Sequence, residues 1–155
     1  METTLVLIKP DGVQRRLVGR ILARFEEKGL QIAGLRLARL ERPLLERHYG
    51  AHRGKPFYEG LVCYMASSPV VVLALRGKNA VAVVRKMMGA TFGSKAEPGT
   101  IRGDFAISDG FNLVHGSDSA EAAAREIEIF FGAGGTVDWT PGDTAWVYDV
   151  SDGAR

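Results

Sequence analysis

No uninterrupted apolar run in the chain exceeds six residues, and one run of this length, Val70 to Leu75, limits what the chain can fold into. It is far shorter than the roughly 20 apolar residues that a membrane-spanning helix needs, so we expect no transmembrane segment. Its β-branched residues instead predict a buried central strand. The chain has 155 residues, close to the usual size of one domain, and we expect residues 1–155 to form a single domain.

The rest of the apolar pattern predicts alternating strands and helices. Further strands are expected at Leu5–Ile8, Gln31–Leu40 and Leu113–His115, and helices at Val13–Lys28, Pro43–Tyr49, Phe57–Met65, Ala80–Met88 and from Asp118 to about Gly132. If the two short helices at Pro43–Tyr49 and Phe57–Met65 are left out, the elements follow one another along the chain as strand, helix, strand and then strand, helix, strand. This order is that of a split βαβ sandwich, an α/β fold.

Local signals add helix caps and a tail to this prediction. Asn79 is expected to cap the helix that follows it, and Asp118 with Glu121 three residues later resembles a capping box. The segment from Gly134 to Arg155 shows no clear periodicity. We expect it to be an irregular tail that packs on the rest of the chain through its aromatic side chains.

Charge and cysteine content narrow the possible partners. The 20 basic and 18 acidic residues give a formal net charge of +2, too small for nucleic-acid or membrane binding by overall field. The single cysteine, Cys63, cannot form an internal disulfide, and the N-terminus carries no basic leader. We therefore expect a cytoplasmic protein without a membrane or nucleic-acid partner, in which any anion site is local.

His115 lies at the end of a predicted strand, directly before a glycine turn and a helix. A neutral imidazole can attack phosphorus or transfer protons without a separate base, although an isolated histidine at a strand end is more often structural. Glu126 falls within the predicted buried stripe of the following helix. A carboxylate there needs a partner, which is either the non-reacting nitrogen of His115 or a lysine or arginine elsewhere.

Two arginines could form a clamp for phosphate. Arg85 lies on a predicted helix and Arg102 in a glycine-rich loop, and planar guanidinium donors match phosphate oxygens. Taken singly, each arginine is more often a solvated surface residue. In the same way, Lys9 is compatible with a turn residue and Phe57 with a core residue.

Other nucleotide and metal motifs do not occur in the sequence. There is no G-x-x-x-x-G-K-[ST] motif, which excludes a Walker-type NTPase, and the glycines at 132, 134 and 135 lack the spacing of a dinucleotide fingerprint. His48 and His52 are four residues apart and could share a metal ion, but neither H-E-x-x-H nor a cysteine pair accompanies them. We expect both to be solvated helical histidines.

Three segments together resemble the nucleoside diphosphate kinase family. They are Ile8-Lys9-Pro10-Asp11-Gly12-Val13-Gln14-Arg15, Pro98-Gly99-Thr100-Ile101-Arg102-Gly103-Asp104 and His115-Gly116-Ser117-Asp118-Ser119, and the similarity extends from Thr4 to Tyr148. The resemblance implies a ferredoxin-like α/β sandwich with a four-stranded antiparallel sheet covered by helices. It also implies an enzyme that transfers the terminal phosphoryl group of a nucleoside triphosphate to a nucleoside diphosphate by a ping-pong mechanism through a phosphohistidine, with broad base and sugar specificity.

The same resemblance implies roles for individual residues. His115 would be the nucleophile, and Tyr49, Ser117 and Glu126 would position it. Arg85, Thr91 and Arg102 would hold the phosphates, Lys9 and Asn112 the sugar hydroxyls, and Phe57 would stack on the base. The cofactor would be Mg²⁺, held mainly by nucleotide phosphates rather than by the protein. The assembly would be a homohexamer, with a tetramer as the alternative.

Two places differ from the family pattern. Phe92-Gly93 stand where the family commonly has Asn-Pro, which predicts a changed mobility of the phosphate-side loop. Asp109 stands where many relatives have an apolar residue beside the base, which predicts a polar or displaced wall of the base site.

Two other functions fit parts of the sequence. The same fold class hosts nucleic-acid-binding modules, but the small net charge argues against one here. A histidine phosphocarrier that receives phosphate from a protein donor would also use His115. It would not need Lys9, Phe57 and Asn112 as a nucleotide site.

Overall fold

Four strands form one antiparallel sheet in the computed structural model. The described residues are 1–152, without the side chain of Val150, so the last three residues of the expected tail lie outside them. The strands are β1 (Glu2–Ile8), β2 (Gln31–Ala38), β3 (Val70–Gly77) and β4 (Val114–Gly116). Their order is β2-β3-β1-β4 with every neighbouring pair antiparallel, so β3 is a central strand as predicted.

Eight helices accompany the sheet in this part of the chain. They are α1 (Pro10–Gln14), α2 (Val18–Glu27), α3 (Arg42–His48), α4 (Tyr58–Ala66), α5 (Ala80–Met88), α6 (Ile101–Phe105), α7 (Ala120–Phe131) and α8 (Thr144–Val147), with single 3₁₀ turns at Gly50–His52, Gly93–Lys95 and Val150–Asp152. Across residues 1–152, no helix combines the length and the apolar character needed to cross a bilayer.

Helices cover both faces of the sheet. Along β1, Val6 and Ile8 pack into one apolar cluster and Leu5 and Leu7 into another, because successive strand residues point to opposite faces. The first cluster includes residues of α2 and α5, and the second includes residues of α3, α4 and α7. This arrangement is the predicted α/β sandwich.

Strand pairing sets the face on which His115 lies. In the register of β1 with β4, His115 is directly opposite Leu7. Residues opposite each other in an antiparallel pair share a face of the sheet, so His115 lies on the face covered by α3, α4 and α7. The short β4 therefore places His115 beside residues of α3 and α7 rather than those of α2 and α5.

The predicted helix from Val13 to Lys28 is two helices. The first begins at Pro10, whose fixed φ suits the first helical position, and it ends at Gln14. Arg16 then adopts a left-handed φ of 58°, and the Leu17 N–H donates to the Gly12 carbonyl at 2.9 Å. Neither glycine nor asparagine marks this break, so the spacing of apolar residues did not reveal it.

Both predicted helix caps are corrected by the structure. Asn79 precedes α5 with a left-handed φ of 52° and makes no capping hydrogen bond through its side chain. The carboxylate of Glu2 accepts from the Val81 N–H of α5 instead, at 2.8 Å. At α7 the cap is Ser119 rather than Asp118, because the serine hydroxyl accepts the N–H three residues later.

The C-terminal segment packs beside β2, as its aromatic residues predicted. The indole of Trp139 donates to the Ile32 carbonyl at 3.0 Å, and the Tyr148 hydroxyl donates to the Gly29 carbonyl at 3.3 Å. Trp146 differs from these two residues and is 92% exposed. The segment is irregular apart from α8 and the last 3₁₀ turn.

Candidate active site

His115 is hydrogen-bonded to a buried carboxylate. Its Nε2 lies 3.2 Å from Oε2 of Glu126, and the Ser117 hydroxyl donates to the same oxygen at 2.6 Å. Glu126 and Ser117 are buried, whereas the His115 side chain keeps 25% of its surface exposed. The sequence left two kinds of partner for Glu126, the ring of His115 or a lysine or arginine. In the structure the partner is the ring of His115.

The charge of Glu126 determines which nitrogen of His115 can react. Burial alone would raise the pKa of Glu126, but hydrogen bonding to His115, the charge of that ring and the bond from Ser117 hold it below its ordinary value. An ionised Glu126 accepts a hydrogen bond, so Nε2 of His115 carries the proton. A neutral imidazole has one donor and one acceptor nitrogen, which leaves the lone pair on Nδ1.

His48 also belongs to this site, although a solvated position was expected for it. It is buried rather than solvated, and its ring lies edge-on to that of His115 with centroids 4.9 Å apart. Its Nδ1 is 3.7 Å from Oε1 of Glu126. Burial, followed by the charge of His115, lowers the pKa of His48 to about 3, so this imidazole is neutral at physiological pH.

A sequence signal for the burial of His48 does exist. Leu45 is fully buried on α3, and residues three positions apart share a helix face. His48 therefore belongs to the inward stripe of α3, which packs against α7. His52 is partly exposed, and its Nδ1 lies 3.1 Å from the Lys55 ammonium.

Tyr49, the residue directly after α3, borders the same network. Its ring packs against that of His48 with centroids 4.3 Å apart. Burial and the nearby charge of Glu126 raise the pKa of the Tyr49 phenol, so it stays neutral.

Three of the residues expected at the nucleotide are joined by side-chain hydrogen bonds. The Lys9 ammonium, at the end of β1, donates to the Asn112 side-chain oxygen at 2.7 Å. The amide nitrogen of Asn112 in turn donates to the Thr91 carbonyl at 2.7 Å. Asn112 is buried and Thr91 is exposed, so the connected residues extend from the sheet to the surface.

Arg102 is buried among backbone carbonyls. Its guanidinium donates to the carbonyl oxygens of Asn112, Gly89, Ala90 and Val114 at 3.1, 3.0, 3.3 and 2.8 Å. A guanidinium has five N–H donors, so these bonds leave one N–H on Nη2. Arg102 therefore ties the loop after α5 to the strand that carries His115.

The cations of this region repel one another. Burial and the charge of Arg85 lower the pKa of Arg102 to about 10, and burial and the charge of Arg102 lower the pKa of Lys9 to about 8. Arg85 is exposed and donates to the Gly116 carbonyl at 3.4 Å. An anionic ligand would stabilise the charged forms of Lys9 and Arg102.

The comparison with known proteins agrees with this geometry. The family model described as nucleoside diphosphate kinase matches residues 2–135. A nucleoside diphosphate kinase of Pelotomaculum thermopropionicum is 54% identical over 149 residues, covering 96% of this chain and 100% of that protein. One of Thermosynechococcus vestitus is 52% identical over 150 residues, covering 97% and 100%. The chain belongs to the nucleoside diphosphate kinase family.

A solved structure supports the same assignment. The nucleoside diphosphate kinase of Halobacterium salinarum, solved in complex with CDP, has a TM-score of 0.93 and 46% identity over 96% of this chain and 99% of that one. The predicted family and fold class are therefore confirmed, and so is the prediction of a phosphotransferase that acts on nucleotides.

The aromatic residue that family resemblance places at the base is on the surface. Phe57, at the start of α4, is 52% exposed and is therefore not a core residue. Its ring centroid lies 5.4 Å from that of His52, and the Lys55 ammonium lies 5.7 Å from it.

The departures from the family pattern lie next to each other in the structure. Asp109 accepts hydrogen bonds from the backbone and the hydroxyl of Ser94, at 3.2 and 2.6 Å. Gly93 comes so close to the 106–108 segment that an added Cβ would lie 2.5 Å from the Ala106 carbonyl oxygen. Asp109 and Gly93 thus both attach the 92–95 loop to the segment that follows α6.

Proposed function

We propose that the chain acts as a single domain that transfers the terminal phosphoryl group of a nucleoside triphosphate to a nucleoside diphosphate through Nδ1 of His115. The observation that carries this proposal is the hydrogen bond between Nε2 of His115 and the buried carboxylate of Glu126. It selects the tautomer in which Nδ1 holds the lone pair.

The proposed reaction has two half-reactions of the same kind. The lone pair of Nδ1 attacks the γ-phosphorus, the bond from that phosphorus to the β-phosphate oxygen breaks, and the nucleoside diphosphate leaves. The phosphorylated ring of His115 is then a cation with its proton on Nε2. The negative charge of Glu126 stabilises that cation, and Ser117 holds the carboxylate oxygen in place. A second diphosphate reverses the steps and regenerates the free ring.

The mutual repulsion of Lys9, Arg85 and Arg102 supports the proposed phosphate site. Phosphoryl transfer depends mainly on positioning and on neutralisation of oxygen charge, which these cations supply. We propose Mg²⁺ as the divalent cation. None of these side chains is an oxygen ligand, so the nucleotide phosphates would hold the ion, which would neutralise further charge on the transferred group when bound.

Broad specificity follows from the chemistry of the proposed contacts. Phe57 would stack on the π-face that every base has, and Lys9 and Asn112 would bind the sugar hydroxyls. Thr91 would add its hydroxyl at the phosphates. None of these contacts selects a hydrogen-bond pattern on the base edge.

We also propose a homohexamer in the cytoplasm. In support, β2 is an edge strand of the sheet, and its Leu35 and Leu37 are 51% and 65% exposed. Edge strands with exposed apolar residues are surfaces that natural proteins cover. Sedimentation equilibrium should give six times the chain mass of 16.8 kDa. A tetramer would give four times that mass and would replace the proposal.

The labelling of His115 is the first prediction and the test of the function. Incubation with γ-labelled ATP should give an acid-labile, base-stable label that a different nucleoside diphosphate removes. His115→Ala should lower labelling by at least about 10⁴-fold while the circular dichroism spectrum stays native. Retained label in this variant would exclude His115 as nucleophile. Label without transfer to a diphosphate would favour a phosphocarrier, and salt-dependent oligonucleotide binding without turnover would favour a nucleic-acid-binding module.

A further inference from the structure

The site of His115 contains the donor set of a zinc site. His48, His115 and Glu126 each offer one ligand atom, and these atoms all lie within 4.8 Å of one another. We propose that the three residues bind Zn²⁺ and that this ion inhibits phosphorylation of His115. The inhibition rests on the proposed function, whereas the binding of the ion does not.

The distances within the cluster fit tetrahedral zinc. Zinc–nitrogen and zinc–oxygen bonds of about 2.05 Å place neighbouring ligand atoms about 3.3 Å apart. His115 Nε2 lies 3.2 Å from Oε2 of Glu126, and His48 Nδ1 lies 3.7 Å from Oε1, so the two rings face different oxygens of one carboxylate. One ligand atom from each residue can be chosen so that all three lie within 4.8 Å of one another. Side-chain shifts of about 1.5 Å would bring these atoms to the tetrahedral spacing around one ion, with water as the fourth ligand.

His48 is the observation that points to a ligand. Its side chain is only 2% exposed, and neither ring nitrogen has a hydrogen-bond partner among residues 1–152. A buried polar group of this kind is costly unless an ion or a water molecule satisfies it. A metal ion bound at either ring nitrogen would satisfy this group.

The donor types favour zinc over the magnesium that accompanies the nucleotide. Two imidazoles and one carboxylate match the ligand sets of zinc sites, whereas Mg²⁺ takes oxygen ligands and keeps several waters. The proposed ion is thus distinct from the one on the nucleotide phosphates in both place and chemistry.

Zinc bound to Nε2 would remove the nucleophile. A neutral imidazole has a single lone pair, so coordination at Nε2 of His115 requires its proton to move to Nδ1. The protonated Nδ1 has no electron pair with which to attack phosphorus. Glu126 would also be engaged by the ion, and its charge would no longer favour the phosphorylated ring. Zinc binding and attack by Nδ1 therefore exclude each other.

The test measures metal binding without nucleotide. Cobalt(II) replaces Zn²⁺ as a visible probe, and all proteins carry Cys63→Ser, since Cys63 is an exposed thiol. We expect intense tetrahedral bands from Co²⁺, displaced by one equivalent of Zn²⁺ and unaffected by millimolar Mg²⁺. His48→Gln should weaken Zn²⁺ binding by at least about 100-fold, the upper range for loss of a second-shell partner.

His52→Gln is the matched control. The chain has three histidines, and His52 is the one outside the cluster. This variant should bind Zn²⁺ with native affinity, and equal weakening by both variants would overturn the proposal. Absence of tetrahedral bands, or unchanged affinity in His48→Gln, would overturn it as well.

Two measurements complete the test. In the native chain, Zn²⁺ should shift the ring-nitrogen NMR signals of His48 and His115 and leave those of His52 in place; any other pattern would overturn the site, even if His48→Gln does not fold. Zn²⁺ at saturation should also lower the initial rate of His115 labelling at least tenfold, and a chelator should restore it. Binding without this inhibition would overturn the regulatory half of the proposal, and an active His115→Ala would overturn the proposed function instead.

Discussion

The two ends of the proposed site are built differently. Around His115, side chains from α3, β4 and α7 meet in the interior. Glu126 bonds to the ring, and Ser117 bonds to Glu126. At the end where the base would bind, Phe57 is exposed, and its neighbours His52 and Lys55 come from the segment just before it. Buried side chains from distant parts of the chain therefore hold His115 in place, whereas residues close in sequence contact Phe57.

This difference matches what each end has to do. In-line attack on phosphorus loses rate when the nucleophile moves by a fraction of an ångström, so His115 needs partners that cannot move. A surface that accepts any base needs an exposed ring and no fixed hydrogen-bond pattern. Substitutions at the His115 end should thus reduce kcat, and those at the base end should change KM by smaller factors.

Glu126→Gln should have the largest effect of the remaining substitutions. The amide has the shape of the carboxylate but lacks its charge, so the phosphorylated ring loses its counter-ion. We expect kcat to fall about 100- to 1000-fold with little change in KM, measured by coupled spectrophotometric assay. A kcat within threefold of the native value would mean that burial of this carboxylate is structural only.

Arg102→Ala should reduce stability and nucleotide binding together. The substitution leaves four backbone carbonyls without their donor, so we expect a loss of about 2 kcal/mol in the free energy of unfolding and a higher KM. Arg85→Ala is the comparison, because Arg85 is exposed and makes one long hydrogen bond. Arg85→Ala should raise KM, and the urea concentration at its unfolding midpoint should equal that of the native chain. Equal urea midpoints for the two variants would contradict the structural role of Arg102.

Phe57→Ala tests the base end. Loss of stacking should raise KM about tenfold for purine and pyrimidine diphosphates alike, with kcat nearly unchanged. Phe57→Trp serves as the control, since it keeps a flat ring and should keep a KM near the native value. A KM change confined to one class of base would show that the site reads base edges and not only the π-face.

The sequence predicts the His115 end of the site better than its internal arrangement. The positions of the strands along the chain, the stripe of α7 and the position of Glu126 all follow from periodicity, since a helix or strand repeats its buried face at a fixed spacing. The burial of His48 depends on the packing of α3 against α7, which is a contact between distant parts of the chain. The spacing along α3 places His48 on the same helix face as Leu45, but it does not show which residues of α7 lie opposite that face.

Local backbone conformation accounts for the other differences between the predicted and the observed helices. Arg16 and Asn79 both adopt left-handed φ angles, which end one helix early and remove a predicted cap. Such angles cost little when the surrounding hydrogen bonds compensate them, and the residue type alone does not reveal the compensation. For Arg102 the family resemblance implies a phosphate ligand, but its burial among carbonyls depends on how the 89–114 segment folds back on itself.

Asp109→Val should have the smallest effect, and it separates two roles of this residue. If Asp109 acts only by holding Ser94, then Asp109→Val and Ser94→Ala should change the KM of all nucleoside diphosphates by the same factor, below about threefold, the value of one exposed hydrogen bond. Steady-state assays with ADP, GDP and CDP measure this. A change in the ratio of these KM values in Asp109→Val, absent from Ser94→Ala, would instead make Asp109 a wall of the base site. The base end would then discriminate between bases through a specific side chain. The two ends of the site would differ less in their use of specific polar contacts than the exposure of Phe57 indicates.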